Sequence, residues 1–323
     1  MLLAGTENGL HRLTDVDGST GPTVRTVFDS GAVMRLRAFE AHDGVVAATK
    51  TGLYHSTDGG EWTNLDVPRE QVYAVGAAPD GRLYAGTRPA HVYVARADSS
   101  DALGVGELEW RELEGLQEVP SREEWRLPRH ENLAQVRDVH VHPEAPERVV
   151  AGVEVGGVHV SNDGETTWTE RRERVHDDVH ELAVLGPDEF VAATGYGLFH
   201  TTDAGRSWAR LDEGYDQRYF RSVSAVGDAV YAGGALAHTS TWLEPDADPE
   251  LFVYRGGERV EPVEHPRPDE TVTGITEVDG DAVVGTHRGS VLRRGADGWS
   301  VVGSLPAPDD FAGSYTPLLW MET

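Results

Sequence analysis

The chain has 323 residues, with 28 Lys plus Arg against 55 Asp plus Glu, a formal net charge of −27 and no cysteine. The missing cysteines exclude a disulfide framework and a thiolate metal site. The missing basic face excludes nucleic acid as a partner, since nothing is there to neutralise phosphates.

Read in order, the chain opens on Met1-Leu2-Leu3-Ala4-Gly5-Thr6, a β-prone run without the basic start and long apolar core of a signal peptide. No run approaches the roughly 18 apolar residues of a membrane span. A cytoplasmic protein with no membrane partner is expected.

The opening strand is one copy of a marker that recurs as Ala47-Ala48-Thr49, Ala85-Gly86-Thr87, Ala151-Gly152-Val153, Ala192-Ala193-Thr194, Ala232-Gly233-Gly234 and Val284-Gly285-Thr286. Most steps are close to about 40 residues, the length of a propeller blade. Ahead of each marker but the first lies another apolar strand, at 33–39, 72–77, 136–142, 179–185, 221–226 and 272–278, each expected to be innermost in its blade.

The chain thus starts on a second strand. The missing inner strand is expected from Tyr315 to Met321, after the last outer strand at Trp299 to Val302. The fold class predicted is all-β: a seven-bladed β-propeller, one domain over 1–323, closed by pairing its N- and C-terminal segments, which removes two open sheet edges.

Three insertions interrupt the repeat, at 97–106, 114–134 and 234–250. The first reads as a flexible surface loop. In the second, Ser121 and Glu124 are spaced as a capping box for one helical turn. The third is polar and Pro-punctuated from His238 to Glu250.

Each blade's third and fourth strands are joined by a polar turn, clearest at Thr201-x-Asp203-x-Gly205-x-Ser207-Trp208 and weaker at Ser56-x-Asp58-x-Gly60-x-Trp62 and Ser161-x-Asp163-Gly164-Glu165-x-Thr167-Trp168. At this spacing the hydroxyl and carboxylate accept backbone N–H bonds inside the turn, and the Gly takes positive φ. The Trp is large enough to cover the hairpin and reach the neighbouring unit.

The pattern resembles the Asp-box, or BNR, repeat of sialidase-like and WD40/YVTN-like propellers. That resemblance implies that Asp58, Asp163 and Asp203, with Trp62, Trp168 and Trp208, are structural. The acidic composition, with Lys50 the only lysine, resembles proteins of salt-in halophilic archaea.

With strands A to D numbered outward, B to C and D to A connections share one face. That face is expected to carry the 114–134 and 234–250 insertions together with Arg35, Arg137 and Arg221, Tyr73, His180 and Tyr219, and Glu7, Lys50, Arg88, Glu154, Tyr196, His287 and Arg288. Guanidinium forks bind carboxylates in bidentate fashion, so the arginines suggest an anion site. The competing expectation is that each simply pairs with one of the abundant carboxylates.

Sialidases bind a substrate carboxylate with three arginines, but their Phe/Tyr-Arg-Ile-Pro signature is matched by Phe220-Arg221-Ser222-Val223 only in its first two places, and they have six blades. His140 with His142, and His176 with His180, lack zinc spacing and read as paired or solvated, and Asp246, Asp248 and Glu250 as an acidic cluster set by composition. No metal and no cofactor are expected.

The reading is a binding or scaffold module working through the insertion-bearing face, its partner a protein or a small anion. A hydrolase or lyase acting on an acidic sugar is one alternative. A protein-assembly factor is the other.

Overall fold

Short apolar runs separated by Gly-bearing turns build seven four-stranded sheets. The computed structural model describes residues 1–16, 22–96, 103, 108–306 and 315–321. Blade 2 runs Val33–Phe39, His42–Thr49, Gly52–Ser56 and Thr63–Asn64; blade 3 runs Val72–Ala77, Arg82–Thr87, Val92–Arg96 and Arg111–Glu112. Blade 4 is Gln135–Val141, Val149–Glu154, Gly157–Ser161 and Thr169–Glu170, and blade 5 is Val179–Val184, Phe190–Thr194, Gly197–Thr201 and Ala209–Arg210. Blade 6 is Tyr219–Val226, Ala229–Ala235, Glu250–Tyr254 and Glu261–Pro262, and blade 7 is Val272–Val278, Asp281–Thr286, Ser290–Gly295 and Gly298–Ser304.

Blade 1 takes Leu318–Trp320 as its first strand, followed by Leu2–Thr6, Gly9–Thr14 and Thr23–Phe28. Leu2 pairs with Trp320 and Ala4 with Leu318, antiparallel, and Met1 and Met321 exchange backbone hydrogen bonds of 2.7 and 2.9 Å. The fold is a seven-bladed β-propeller closed by its two ends, as the marker spacing predicts. The closing strand is shorter than the expected Tyr315 to Met321.

The chain divides into two compact units. One comprises Met1–Val33, Ala193–Phe199 and Arg210–Thr323. Its apolar clusters lie between blades 7 and 1, around Leu2, Leu13, Val283 and Leu318, and between blades 6 and 7, around Tyr231, Leu251, Val272 and Leu292. The other comprises Met34–Ala192 and His200–Ala209. One of its clusters gathers around Val46, Leu53, Val75 and Leu83, and another around Tyr84, Trp125, Val136, Val149 and Ala151.

The glycine in three of the marker strands has a packing cause. A Cβ on Gly86 would lie 2.6 Å from Val136, one on Gly152 2.8 Å from Val179, and one on Gly5 2.7 Å from Val33, in each case the inner strand of the next blade. The marker Thr has a separate task. Thr6, Thr49 and Thr194 each donate to the carbonyl of the Gly three residues on, at 3.2, 2.9 and 2.8 Å, and each accepts the N–H two residues on, closing the B to C turn.

At Thr201 to Trp208 the carboxylate of Asp203 accepts the Ser207 N–H at 2.8 Å and the Ser207 hydroxyl at 2.7 Å, while the Thr201 hydroxyl accepts the Gly205 N–H at 3.0 Å. Gly205 takes φ +78°. The Ser207 bonds hold the Asp203 carboxyl at about 2, below its ordinary range. Trp208 is buried, and its indole donates to the Arg171 carbonyl of blade 4 at 3.1 Å. Asp163 accepts from Thr167 in the same way, and Asp58 accepts the Gly60 N–H at 2.8 Å. Trp168 and Trp62 are half-buried.

A helical turn forms after Ser121 as expected, but without the expected cap. The 114–134 segment forms three 3-10 turns, Glu114–Glu118, Arg122–Glu124 and Pro128–His130, and Ser121 makes no side-chain cap. Its hydroxyl instead accepts the Trp125 indole N–H at 3.0 Å, because Trp125 is buried and its polar edge needs a partner. The polar 234–250 segment folds over Trp242, which is 1% exposed. The 97–106 segment lies outside the described residues except for Leu103, which is buried. Among the described residues no helix is long and apolar enough to cross a membrane.

Candidate functional site

In the unit holding blades 6, 7 and 1, the B to C turns and the 234–250 insertion display a connected set of aromatic and basic side chains. Tyr196 stands on the Thr194–Gly197 turn and is 54% exposed. The Arg210 guanidinium lies 5.3 Å from the centre of its ring, and that guanidinium is itself held by the buried Asp212 through two bonds of 2.9 Å. The turn is anchored to its neighbour by Gly197 N–H to the Arg218 carbonyl, 2.7 Å, and Arg218 N–H reaches the Ala235 carbonyl at 3.0 Å.

Ala235 then packs with Tyr219 and Trp242. Tyr219 meets Trp242 and His238 edge-on at 6.1 and 5.5 Å, and Trp242 meets His287 at 5.4 Å. His287 is buried, and its Nδ1 accepts the Thr271 N–H at 3.0 Å. Burial, with Arg288 adding to it, pushes the His287 imidazole down to about 4, so it is neutral at pH 7. Arg221 is buried, stacks on Tyr315 at 3.8 Å and donates to the Tyr219 hydroxyl at 3.3 Å. Leu243, next to the buried Trp242, is 41% exposed.

The other unit holds Arg35, Arg88, Arg137 and His180. Arg35 is buried and ion-paired to Glu181; it also donates to the Arg137 carbonyl at 3.0 Å and lies 3.6 Å from Asp138. Burial pushes the Asp138 carboxyl up, but Arg35, His140 and Arg37 more than offset this and hold it well below its ordinary range. Asp138 also accepts the Leu182 N–H at 3.0 Å, so it ties blade 4 to blade 5. His140 lies 3.2 Å from the same carboxylate, and His142 accepts the Glu144 N–H at 3.2 Å.

Arg137 and Arg88 both approach the ring of Tyr73, at 5.3 and 5.9 Å. The Arg137 Nε lies 3.4 Å from Glu154 Oε2, which also accepts the Gln135 amide at 2.7 Å. Next to them, ligand-capable atoms of Glu154, Asp178 and His180 all lie within 4.8 Å of one another. Asp178 lies inside the His176 to His180 cluster and Tyr315 opens the segment expected to close the propeller, whereas Asp138, Gln135 and Trp242 carry no motif that singles them out in sequence. The one available signal is a Trp inside an otherwise polar insertion.

Among the described residues, cavities lie elsewhere. One of about 530 Å³ is lined by Tyr231, Arg255, Arg294, Asp228 and Asp281, where Arg294 donates to the Tyr231 hydroxyl. Another, about 420 Å³, is walled by Arg82, which is paired to Asp80, Glu147 and Glu165. The Arg82 wall is built of groups that already serve one another.

No protein-family model and no curated protein sequence matches the chain. Solved structures do. A GH74 xyloglucanase from Xanthomonas campestris is 15% identical with a TM-score of 0.57, over 90% of this chain and 46% of that one. YCF48 bound to D1 peptide is 12% identical with a TM-score of 0.55, over 83% and 81%. The WD40 propeller domain of Doa1 is 13% identical with a TM-score of 0.56, over 85% and 82%. The likeness is one of fold. The chain spans less than half the length of the GH74 structures.

Proposed function

We propose that the chain is a binding module that docks a protein segment on the surface running from Tyr196 to Leu243. The observation that carries this reading is exposure: among the described residues the exposed large apolar side chains are Tyr196, Leu243 and Val301, and the first two stand on B to C connections of adjacent blades. Tyr196 is held in place by Arg210, which Asp212 fixes in turn, so little side-chain freedom is lost on docking. Tyr and Arg are the residue types that dominate interface energetics.

The net charge of −27 favours a basic partner segment and suits a cytoplasm of high salt, as in halophilic archaea. The protein is read as one propeller domain over 1–323, with Asp58, Asp163 and Asp203 as the turn residues of BNR-type hairpins, and an assembly role fits the same surface. The small-anion reading draws less support, because Arg35 and Arg137 both have carboxylates beside them.

The test is a peptide array of basic, apolar-anchored sequences probed with wild type and with Tyr196→Ser plus Leu243→Ser. Binding that falls at least tenfold in the double variant, and not in Val301→Ser, supports the surface. Equal binding by both variants rejects it.

A second reading, hydrolysis or elimination on an acidic sugar, rests on Glu250. Burial and the neighbouring Asp248 raise its pKa, as a general acid requires. Turnover of uronic-acid or sialic-acid glycosides that Glu250→Gln abolishes would establish it.

A further inference from the structure

We infer that Glu154, Asp178 and His180 form a binding site for a single divalent transition-metal ion, with zinc as the ion best suited to it. The site is independent of the docking surface proposed above. Its three donors come from two adjoining segments: Glu154 ends the second strand of blade 4, and Asp178 and His180 bracket the start of blade 5. Backbone bonds lock those segments together, since the N–H groups of Gly156 and Gly157 both reach the Asp177 carbonyl at 2.9 Å.

The donor chemistry is one imidazole and two carboxylates; zinc binds both ligand types, and three protein ligands leave it an open fourth position. His180 Nε2 and Asp178 Oδ1 are 3.5 Å apart, and all three donor atoms fall within 4.8 Å. Bonds of about 2.1 Å in a tetrahedron place neighbouring donors about 3.4 Å apart, so His180 and Asp178 already have that spacing and the third donor completes the site by moving inward by up to about 1.4 Å.

The surroundings are those of a built site. His180 is fully buried and Glu154 is 2% exposed, while the Asp178 side chain keeps 14% exposure and gives an ion a way in. Glu154 is oriented by the Gln135 amide and by Arg137, in the manner of the outer partners that fix metal ligands. Gln135 itself is 1% exposed, and its Oε1 has no hydrogen-bond partner among the described residues. Its N–H is already given to Glu154, so Gln135 acts as an outer partner and the fourth position is left to water. Two carboxylates against one guanidinium also leave the set net negative.

The test titrates ZnSO4 calorimetrically into the full-length, chelator-stripped protein in about 1 M KCl, which screens diffuse cation binding to the acidic surface. One Zn²⁺ per chain is expected. Asp178→Asn and Glu154→Gln should each weaken it at least about 100-fold, because loss of a supporting group alone costs 10- to 100-fold. His142→Gln should not change it. Cobalt gives a second readout: a visible ligand-field band in wild type that Asp178→Asn removes.

Asp178→Asn is isosteric at a partly exposed position, so it keeps the test open should the Glu154 variant fail to fold. Wild type with no stoichiometric site, or a folded Asp178→Asn that binds Zn²⁺ as tightly as wild type, overturns the inference.

Discussion

Gly274 faces the carbonyl of Thr316 so closely that a Cβ on it would stand 1.7 Å from that oxygen. The contact presses the inner strand of blade 7 against the segment that leads into the closing strand. Gly274→Ala must therefore push that segment away, and overpacking of this kind costs about 1 to 3 kcal/mol. Urea denaturation should show that loss, with Gly257→Ala, where the nearest atom is 3.9 Å away, close to neutral. Equal midpoints for the two variants would mean that closure does not limit stability.

The Arg35 network makes a stronger claim. Asp138 is 0% exposed and Arg35 is 5% exposed, so removing the guanidinium leaves buried carboxylates without one of their compensating charges. Arg35→Leu should cost about 3 to 5 kcal/mol. Replacing Asp138 by Asn in the same chain should recover part of that loss. A thermal melt of Arg35→Leu within a degree of wild type would show that the pair contributes nothing.

Acid stability should depend on His287. Its folded pKa is lowered to about 4, against an ordinary value near 6.5. Between those values the unfolded chain binds a proton that the folded one does not. The stability this represents is present above about pH 6.5 and is lost as pH falls toward 4, on the order of 2 kcal/mol. In His287→Gln the difference in melting temperature between pH 7 and pH 4.5 should shrink, and an unchanged difference would contradict the assignment.

Asp203 sits in a largely solvated turn, so its contribution is smaller. Asp203→Ala loses the two bonds to Ser207 and should cost about 1 kcal/mol, with no effect on docking at Tyr196. Its carboxyl is held at about 2, below the ordinary range, so its share is present above about pH 4 and disappears as pH falls toward 2. Melting curves of the two proteins should differ clearly at pH 7 and much less at pH 2.5.

The blades themselves were written in local sequence. A strand of five or six apolar residues, a Gly-bearing turn and a polar hairpin are set by neighbours within a few positions, so seven markers and the closing strand could be located from residue spacing alone. The marker glycines were visible as a pattern, but their cause, contact between Gly86 and Val136 or Gly152 and Val179, lies in the next blade.

Pairing between distant side chains was not legible. Arg35 meets Glu181 across 146 positions of sequence, and nothing near either residue names the other among 55 carboxylates. The 234–250 insertion shows the same limit: its composition is that of an exposed loop, yet Trp242 is buried because Tyr219, from a strand, and His287, from a turn, come from elsewhere in the chain to cover it. Local preference decided which strands form, while the packing of blade on blade decided which charges are paired, which ring is hidden, and that Glu154 stands beside Asp178 and His180.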